Sequence, residues 1–304
     1  MSRPVSAESG QALSISPPLI ELKADPGQTV KATIKLTNIS SGELLIKTQF
    51  NDFGAKNETG EPNIIFDDAA NTPYSLRQWI TTSAPFKIAS KESKTIDFPI
   101  QVPKNAEPGG HYAVIRFTGG APELEDSGVA LSASIGSLVL LDVSGNIQEK
   151  ASLPDFYTAT PSFAKANFFE QGPIEFVQRI QNEGNIHVKP TGTVDIYDMW
   201  GHKVKSLQVN GDLSDKNNPP KSVLPQSIRR FDEKWDQGWL LGKYEAKLNL
   251  SYGDGKKLTS TLSFWVVPYK LVAVIIIGLI ALFFGLRFGI RRYNTHIISK
   301  SRRM

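Results

Sequence analysis

Three aromatic residues, Phe53, Tyr74 and Trp79, are where this sequence offers binding chemistry. Aromatic faces pack on the apolar side of a sugar ring, and neighbouring amides and acids bond the ring hydroxyls; Asn51, Asp52 and Gln78 supply such groups. The three aromatics are expected to flank a long polar loop, 54–63, as a candidate ligand-binding surface. The same residues also read another way, with Trp79 and Phe86 plugging the open end of a sandwich. Met199, Trp200, Trp235 and Trp239 make a second candidate, a protein-partner patch, because Trp is enriched at interface hot spots. Trp239-Leu240-Leu241 also reads as core.

Other chemistry is thinly represented. Asp67-Asp68, with Asn51-Asp52, Glu58 and Glu61, gathers oxygens of the kind calcium takes, but the spacing is not that of an EF-hand and solvated acidic loops look the same. The four histidines, His111, His187, His202 and His296, are scattered, and neither G-x-S-x-G, H-E-x-x-H nor a phosphate-binding glycine loop occurs. There is no cysteine, which removes disulfides, thiol catalysis and cysteine metal sites together. The chain reads as non-enzymatic, with no cofactor and no metal site.

The elements that position these residues are strands. Val30, Ala32, Ile34 and Leu36 alternate with Lys31, Thr33, Lys35 and Thr37, and Tyr244, Ala246, Leu248, Leu250 and Tyr252 alternate with polar residues. Ile96, Phe98, Ile100 and Val102 repeat the pattern around Pro99, which marks an edge strand or a bulge. Asp254-Gly255 is expected to close a two-residue type I′ hairpin. The loops 54–63, 121–128 and 212–221 read as polar surface loops.

The C-terminal end differs. Residues 271–286, LVAVIIIGLIALFFGL, carry no polar side chain, and Leu271 and Leu286 are bracketed by Lys270 and Arg287, which can snorkel. A bilayer core of ~30 Å needs about 20 helical residues at ~1.5 Å each, so 266–287 is long enough to cross one, with Trp265 and Tyr269 at the interface. Arg287, Arg291, Arg292, Lys300, Arg302 and Arg303 follow, and no acid follows Asp254, a pattern that marks the cytoplasmic side. Without those six positives, 28 basic residues stand against 30 acidic ones. The basic pI is therefore a topology signal and gives no sign of nucleic-acid binding.

Two halves follow one plan. Each has a strand, an Asn-containing turn (Asn38 to Gly42; Asn182 to Asn185) and a return strand, and later a Gly before an aromatic strand, at Gly110-His-Tyr and Gly242-Lys-Tyr. The fold class read from this is all-β: two tandem immunoglobulin-like antiparallel β-sandwiches and one C-terminal transmembrane α-helix. The boundaries are 1–12 for a disordered N-terminus, 13–144 for the first domain and 145–152 for a linker. The second domain takes 153–266, the membrane helix 267–287 and a basic cytoplasmic tail 288–304. Val5-Ser6-Ala7 has the small residues of a signal-peptidase cut with no apolar segment before it; either a leader precedes the first residue given, or this is an ordinary N-terminus.

Ser14-Ile-Ser-Pro-Pro18, Pro26-Gly-Gln28, Asn38, Tyr74-Ser-Leu76, the 96–103 strand ending in Pro, and Gly109-Gly110 together resemble the first domain of WxL-interacting proteins, cell-surface proteins of Gram-positive bacteria. Gln181-Asn182, Leu224-Pro225, Gly242-Lys-Tyr244 and Trp265 before the anchor are similar to that family's second half. The resemblance implies peptidoglycan binding by the first domain, a surface-protein partner for the second, and a single-pass protein with its domains outside. Two other readings stay open: a tail-anchored cytoplasmic adaptor with major-sperm-protein-like domains, and a periplasmic-chaperone-like assembly factor.

Overall fold

The computed structural model describes residues 13–67, 72–120, 133–212, 215, 218–238 and 240–301. Two sheets form in the first half. One has the order β1 (Leu13–Ser16), β3 (Thr29–Asn38), β7 (Ser93–Gln101). The other runs β2 (Leu19–Ala24), β9 (Ala133–Val143), β8 (Gly109–Gly120), β4 (Leu44–Lys56), β5 (Glu61–Ile65), with β6 (Phe86–Ile88) also on β4. The second half repeats the arrangement with β10 (Ala151–Ala159), β12 (Ile174–Asn182) and β15 (Ile228–Trp235) in one sheet. Its other sheet runs β11 (Phe168–Phe169), β17 (Lys256–Val266), β16 (Gly242–Tyr252), β13 (Thr191–Tyr197), β14 (Lys203–Val209). The helix α1 (Tyr269–Ser301) ends the chain.

Alternation sets which side each strand buries. On β3, Ala32, Ile34 and Leu36 are buried while Lys31, Thr33 and Lys35 face solvent; on β16, Ala246, Leu248 and Leu250 are inward and Lys247 and Asn249 outward. Two large apolar clusters result, one drawn from Leu13 to Val143 and one from Phe169 to Val266. Pro99 lies on β7 at the edge of its sheet, opposite Lys31, where a missing N–H costs no ladder bond.

The two Asn turns are built alike. Asn38 and Asn182 are both fully buried, and each side-chain oxygen accepts the N–H two residues on, from Ser40 at 2.9 Å and Gly184 at 2.9 Å. Each Nδ2 donates to the carbonyl four residues on, Gly42 and Ile186, both at 2.7 Å. This closed loop ties the end of one strand to the start of the return strand.

Several sequence expectations are corrected. Tyr252 pairs with Lys256, so β16 and β17 are joined by three residues, Gly253-Asp254-Gly255, with positive φ at both glycines, and not by a two-residue turn. The expected polar loop 54–63 is mostly ladder: β4 runs to Lys56 and pairs with β5 around a short tip. Trp235, placed in a partner patch, is 2% exposed, because it packs edge-on against Tyr244 and Phe264 in the second core. The helix continues past Arg287 to Ser301, since nothing in 288–301 breaks it. Asp68, the loop 121–128 and Trp239 lie outside the described residues.

Candidate binding cleft between the two halves

β8 does not alternate: Gly109 to Ile115 are all buried. A strand buried on both faces needs a second covering layer. Its inward residues Ala113, Ile115 and Phe117 belong to the first core, while Tyr112 and Val114 turn outward and cluster with Phe53, Leu140 and Leu224. Leu224 comes from the second half, which therefore supplies the cover.

Polar contacts fix the two halves together around this apolar patch. The Gly110 N–H donates to the Asn185 carbonyl at 2.9 Å, and Asn185 Nδ2 donates to the Pro108 carbonyl at 3.0 Å. Gly109, at φ +131°, has no Cβ where one would strike that Asn185 carbonyl. At the tip between β4 and β5, Glu58 accepts from Arg179 Nε at 2.8 Å, and its carbonyl accepts the Arg230 N–H at 2.8 Å. Hydrogen bonding to Arg179 holds the Glu58 carboxyl below its ordinary range. Lys189 reaches Glu21 at 2.5 Å.

Asp142 and His187 face one another at 3.4 Å in the same seam. Burial pushes the Asp142 carboxyl up to about 6 and the His187 imidazole down to about 4. At neutral pH the imidazole is therefore uncharged, and this contact is not an ion pair; Asp142 Oδ1 is left without a hydrogen bond at that distance. Tyr112, whose hydroxyl lies 3.4 Å from His187 Nδ1, is also pushed up by burial.

Beside the seam lies an apolar hollow of about 200 Å³, walled by Phe53, Leu138 and Leu140 from the first half and Pro219, Leu224 and Arg229 from the second. Arg229 is half-buried there; it donates to the Ser222 carbonyl at 2.8 Å, and its guanidinium lies 5.6 Å from the Phe231 ring. Burial lowers its pKa.

The three aromatics singled out from the sequence do not form one surface. Phe53 is only 7% exposed and lies on a strand, as the floor of this hollow, because β4 extends through it. Tyr74 is half-buried and, like Phe53, packs on Tyr112, with ring centroids 6.2 Å and 6.0 Å away. Burial raises the Tyr74 pKa. Trp79 packs on His111 at 4.3 Å and against the first core together with Phe86. His111 and Tyr112 are consecutive on a strand and point to opposite faces, so Trp79 lies across the sheet from Phe53 and Tyr74. This is the plugging arrangement, and Trp79 keeps one face on a shallow depression with Gln78, Asn105 and Glu107.

The acidic residues considered for calcium are separately engaged. Asp52 accepts from the Leu76 and Arg77 N–H groups and from the Ser75 hydroxyl, and pairs with Arg77 at 3.3 Å. Asn51 Oδ1 takes Arg116, Glu58 takes Arg179 and Glu61 takes Lys56. Among the described residues no three acidic or histidine side chains converge on a metal position.

Of the anchor residues, Lys270 pairs with Glu170 at 2.7 Å, which fastens the start of α1 to the second half. Leu271, Leu286, Arg287, Arg291 and Arg292 are exposed along α1. Tyr269–Arg292, 24 residues, is long and apolar enough to cross a membrane.

No protein-family model matches the chain, and no curated protein matches it either. Solved structures do align with it. The YadV chaperone aligns over 83% of this chain and 100% of its own length, at 11% identity and a TM-score of 0.39. A chain from work on the chaperone–tip adhesin complex of CFA/I fimbriae biogenesis aligns over 82% and 97%, at 15% and 0.40. The E. coli chaperone DraB aligns over 82% and 98%, at 12% and 0.36. Likenesses this loose have no bearing on ligand or partner.

Proposed function

We infer that the chain is a non-enzymatic, membrane-anchored surface protein whose two immunoglobulin-like domains hold a segment of another protein in the cleft between them. The observation that carries this reading is the hollow itself, apolar and walled by both halves. A dry cavity of ~150 Å³ admits a benzene ring, so this one has room for one aromatic or branched side chain. Arg229 and Lys221 on its lining suit a carboxylate on the same segment. α1 supplies the anchor, and the positive charges from Arg287 onward favour a cytoplasmic tail with the domains outside. Held in this way, the protein serves as a scaffold or an assembly factor for surface proteins.

A photo-crosslinking residue at Pro219, in the full chain in intact cells, tests this. Adducts with surface proteins at that position, well above those from the same residue at Lys35 on β3, support the reading; equal yields at the two positions refute it.

Wall binding by the first domain is the second reading, favoured by the Trp79 depression with its neighbouring amides and acid. Sedimentation of the detergent-solubilised chain with purified peptidoglycan, lost on Trp79→Ala with melting unchanged, supports it. A folded chain that stays in the supernatant removes it.

A further inference from the structure

The end of the second half from which α1 emerges is unusually apolar. Up to Tyr269, the described residues expose eleven large apolar side chains, and six of them gather here: Phe168, Met199, Trp200, Leu241, Trp265 and Tyr269. Strand pairing places them together. Phe168 is the partner of Trp265, and Gly242, next to Leu241, is the partner of Val266. Met199 reaches back over Gly242, at the place a Cβ there would occupy.

Trp200, 73% exposed, is presented by an ordered tip and not by a loose loop. Asp198 Oδ1 accepts the N–H groups of Trp200 and His202, both at 2.9 Å, and Gly201 takes φ +83°. Little conformational entropy therefore opposes insertion of this ring into an apolar surface.

What that surface is follows from the junction with α1. β17 ends at Val266 and the helix begins at Tyr269, so the connection has no slack. The Val267 N–H donates to the Phe169 carbonyl at 2.9 Å, Phe168 and Tyr269 stand ring to ring at 6.5 Å, and Glu170 holds Lys270. At ~1.5 Å per residue the 24-residue apolar span is about 36 Å long, against a bilayer core of ~30 Å, so Tyr269 falls at the headgroup boundary. The other five side chains are gathered at this junction, next to the depth where Trp and Tyr are favoured.

We propose that this end of the second half lies in the headgroup layer of the bilayer crossed by its own helix, with Trp200, Met199 and Leu241 as inserted side chains. The β halves are thereby held at a fixed attitude to the membrane, with the cleft on the far side of the second half. The inference rests on the reading of α1 as a membrane span.

The chain has no cysteine, so single cysteines carry site-specific probes. His202→Cys, whose side chain is exposed beside Trp200, Leu279→Cys in mid-helix and Lys35→Cys on the first half would each carry an environment-sensitive fluorophore. Each labelled full chain is reconstituted in phosphatidylcholine vesicles with nitroxide lipids as the membrane quencher and iodide as the aqueous one. The expected result is quenching by lipid and shielding from iodide at 202, as at 279, and the reverse at 35. Adding Trp200→Ser and Leu241→Ser to the 202 probe, with melting unchanged, should restore iodide access. If 202 behaves like 35 while 279 is quenched by lipid, the proposal is wrong and the span stands. If 279 is open to iodide, the span reading fails and takes the proposal with it.

Discussion

Replacing Asn182 by Ala tests how the second half is tied together. Its side chain makes three buried bonds, to the Ile186 and Val223 carbonyls and from the Gly184 N–H. Val223 also accepts the Val188 N–H at 3.1 Å, so its carbonyl keeps a partner after the substitution. The Ile186 carbonyl and the Gly184 N–H lose the Asn182 side chain as a partner. At about 1–3 kcal/mol for each stranded buried group, the cost is about 3 kcal/mol. Asn38 donates to the Gly42, Ile88 and Ala89 carbonyls, but of these bonds and the one it accepts from the Ser40 N–H only that to Ile88, at 3.1 Å, is fully buried, and the Ser40 hydroxyl also reaches the Gly42 carbonyl at 3.1 Å. Asn38→Ala should therefore cost about 1 kcal/mol. Urea titration of the full chain in mild detergent measures both. Trp emission follows mainly the second half, because of the five tryptophans only Trp79 lies in the first; far-ultraviolet dichroism follows the two halves together. Equal costs, or an Asn182→Ala change within about 0.5 kcal/mol of wild type, would refute this account of the turns.

Two further outcomes follow from the same structure. Leu36→Ala and Leu248→Ala should each cost roughly 2–5 kcal/mol, while Lys35→Ala and Lys247→Ala stay within about ±0.5 kcal/mol, read by the same titration; equal effects would mean the strand register is wrong by one residue. Glu233, pushed up to about 7 by burial, gives a pH signature. Its folded pKa lies above its unfolded value, so the folded chain takes up a proton between about pH 4.5 and 7, and the associated stability is lost as pH rises through that window. Glu233→Gln should be more stable than wild type at pH 8, by about 1 kcal/mol after solvent screening, with the gap closing toward pH 4.5. Asp142 and His187, shifted up and down respectively, contribute opposite slopes between pH 4 and 6, and the difference between variant and wild type removes both. A gap that does not change with pH would count against the assignment.

Much of the β architecture is legible in the sequence wherever one face of a strand meets water. Lys35 beside Leu36 and Lys247 beside Leu248 announce the inward side directly, and the two Asn turns show as repeated motifs. The cleft is not legible by that rule, because β8 is apolar on both faces and alternation says nothing there. The signal was present all the same: an unbroken run from Tyr112 to Ile115 beside the Leu138–Leu141 stretch calls for two covering layers, and the second layer is the other half of the chain. Phe53 lies on the floor of the hollow for a related reason: 54–63 is polar in composition yet folds mostly as a ladder. Its polar residues serve the junction: Glu58 meets Arg179, 121 residues away, a distance over which local pattern gives no guidance. Trp235 shows the limit of composition, because a Trp suited to an interface is equally suited to a core.

If α1 holds the β halves outside a membrane, as proposed, they are open to protease in intact cells. Protease added to intact cells with an opened wall should digest both β halves and leave a membrane-protected fragment of only a few kilodaltons, reactive to an antibody against the C-terminal tail. Complete protection of the 33.5 kDa chain under those conditions would place the β halves on the other side and contradict the account.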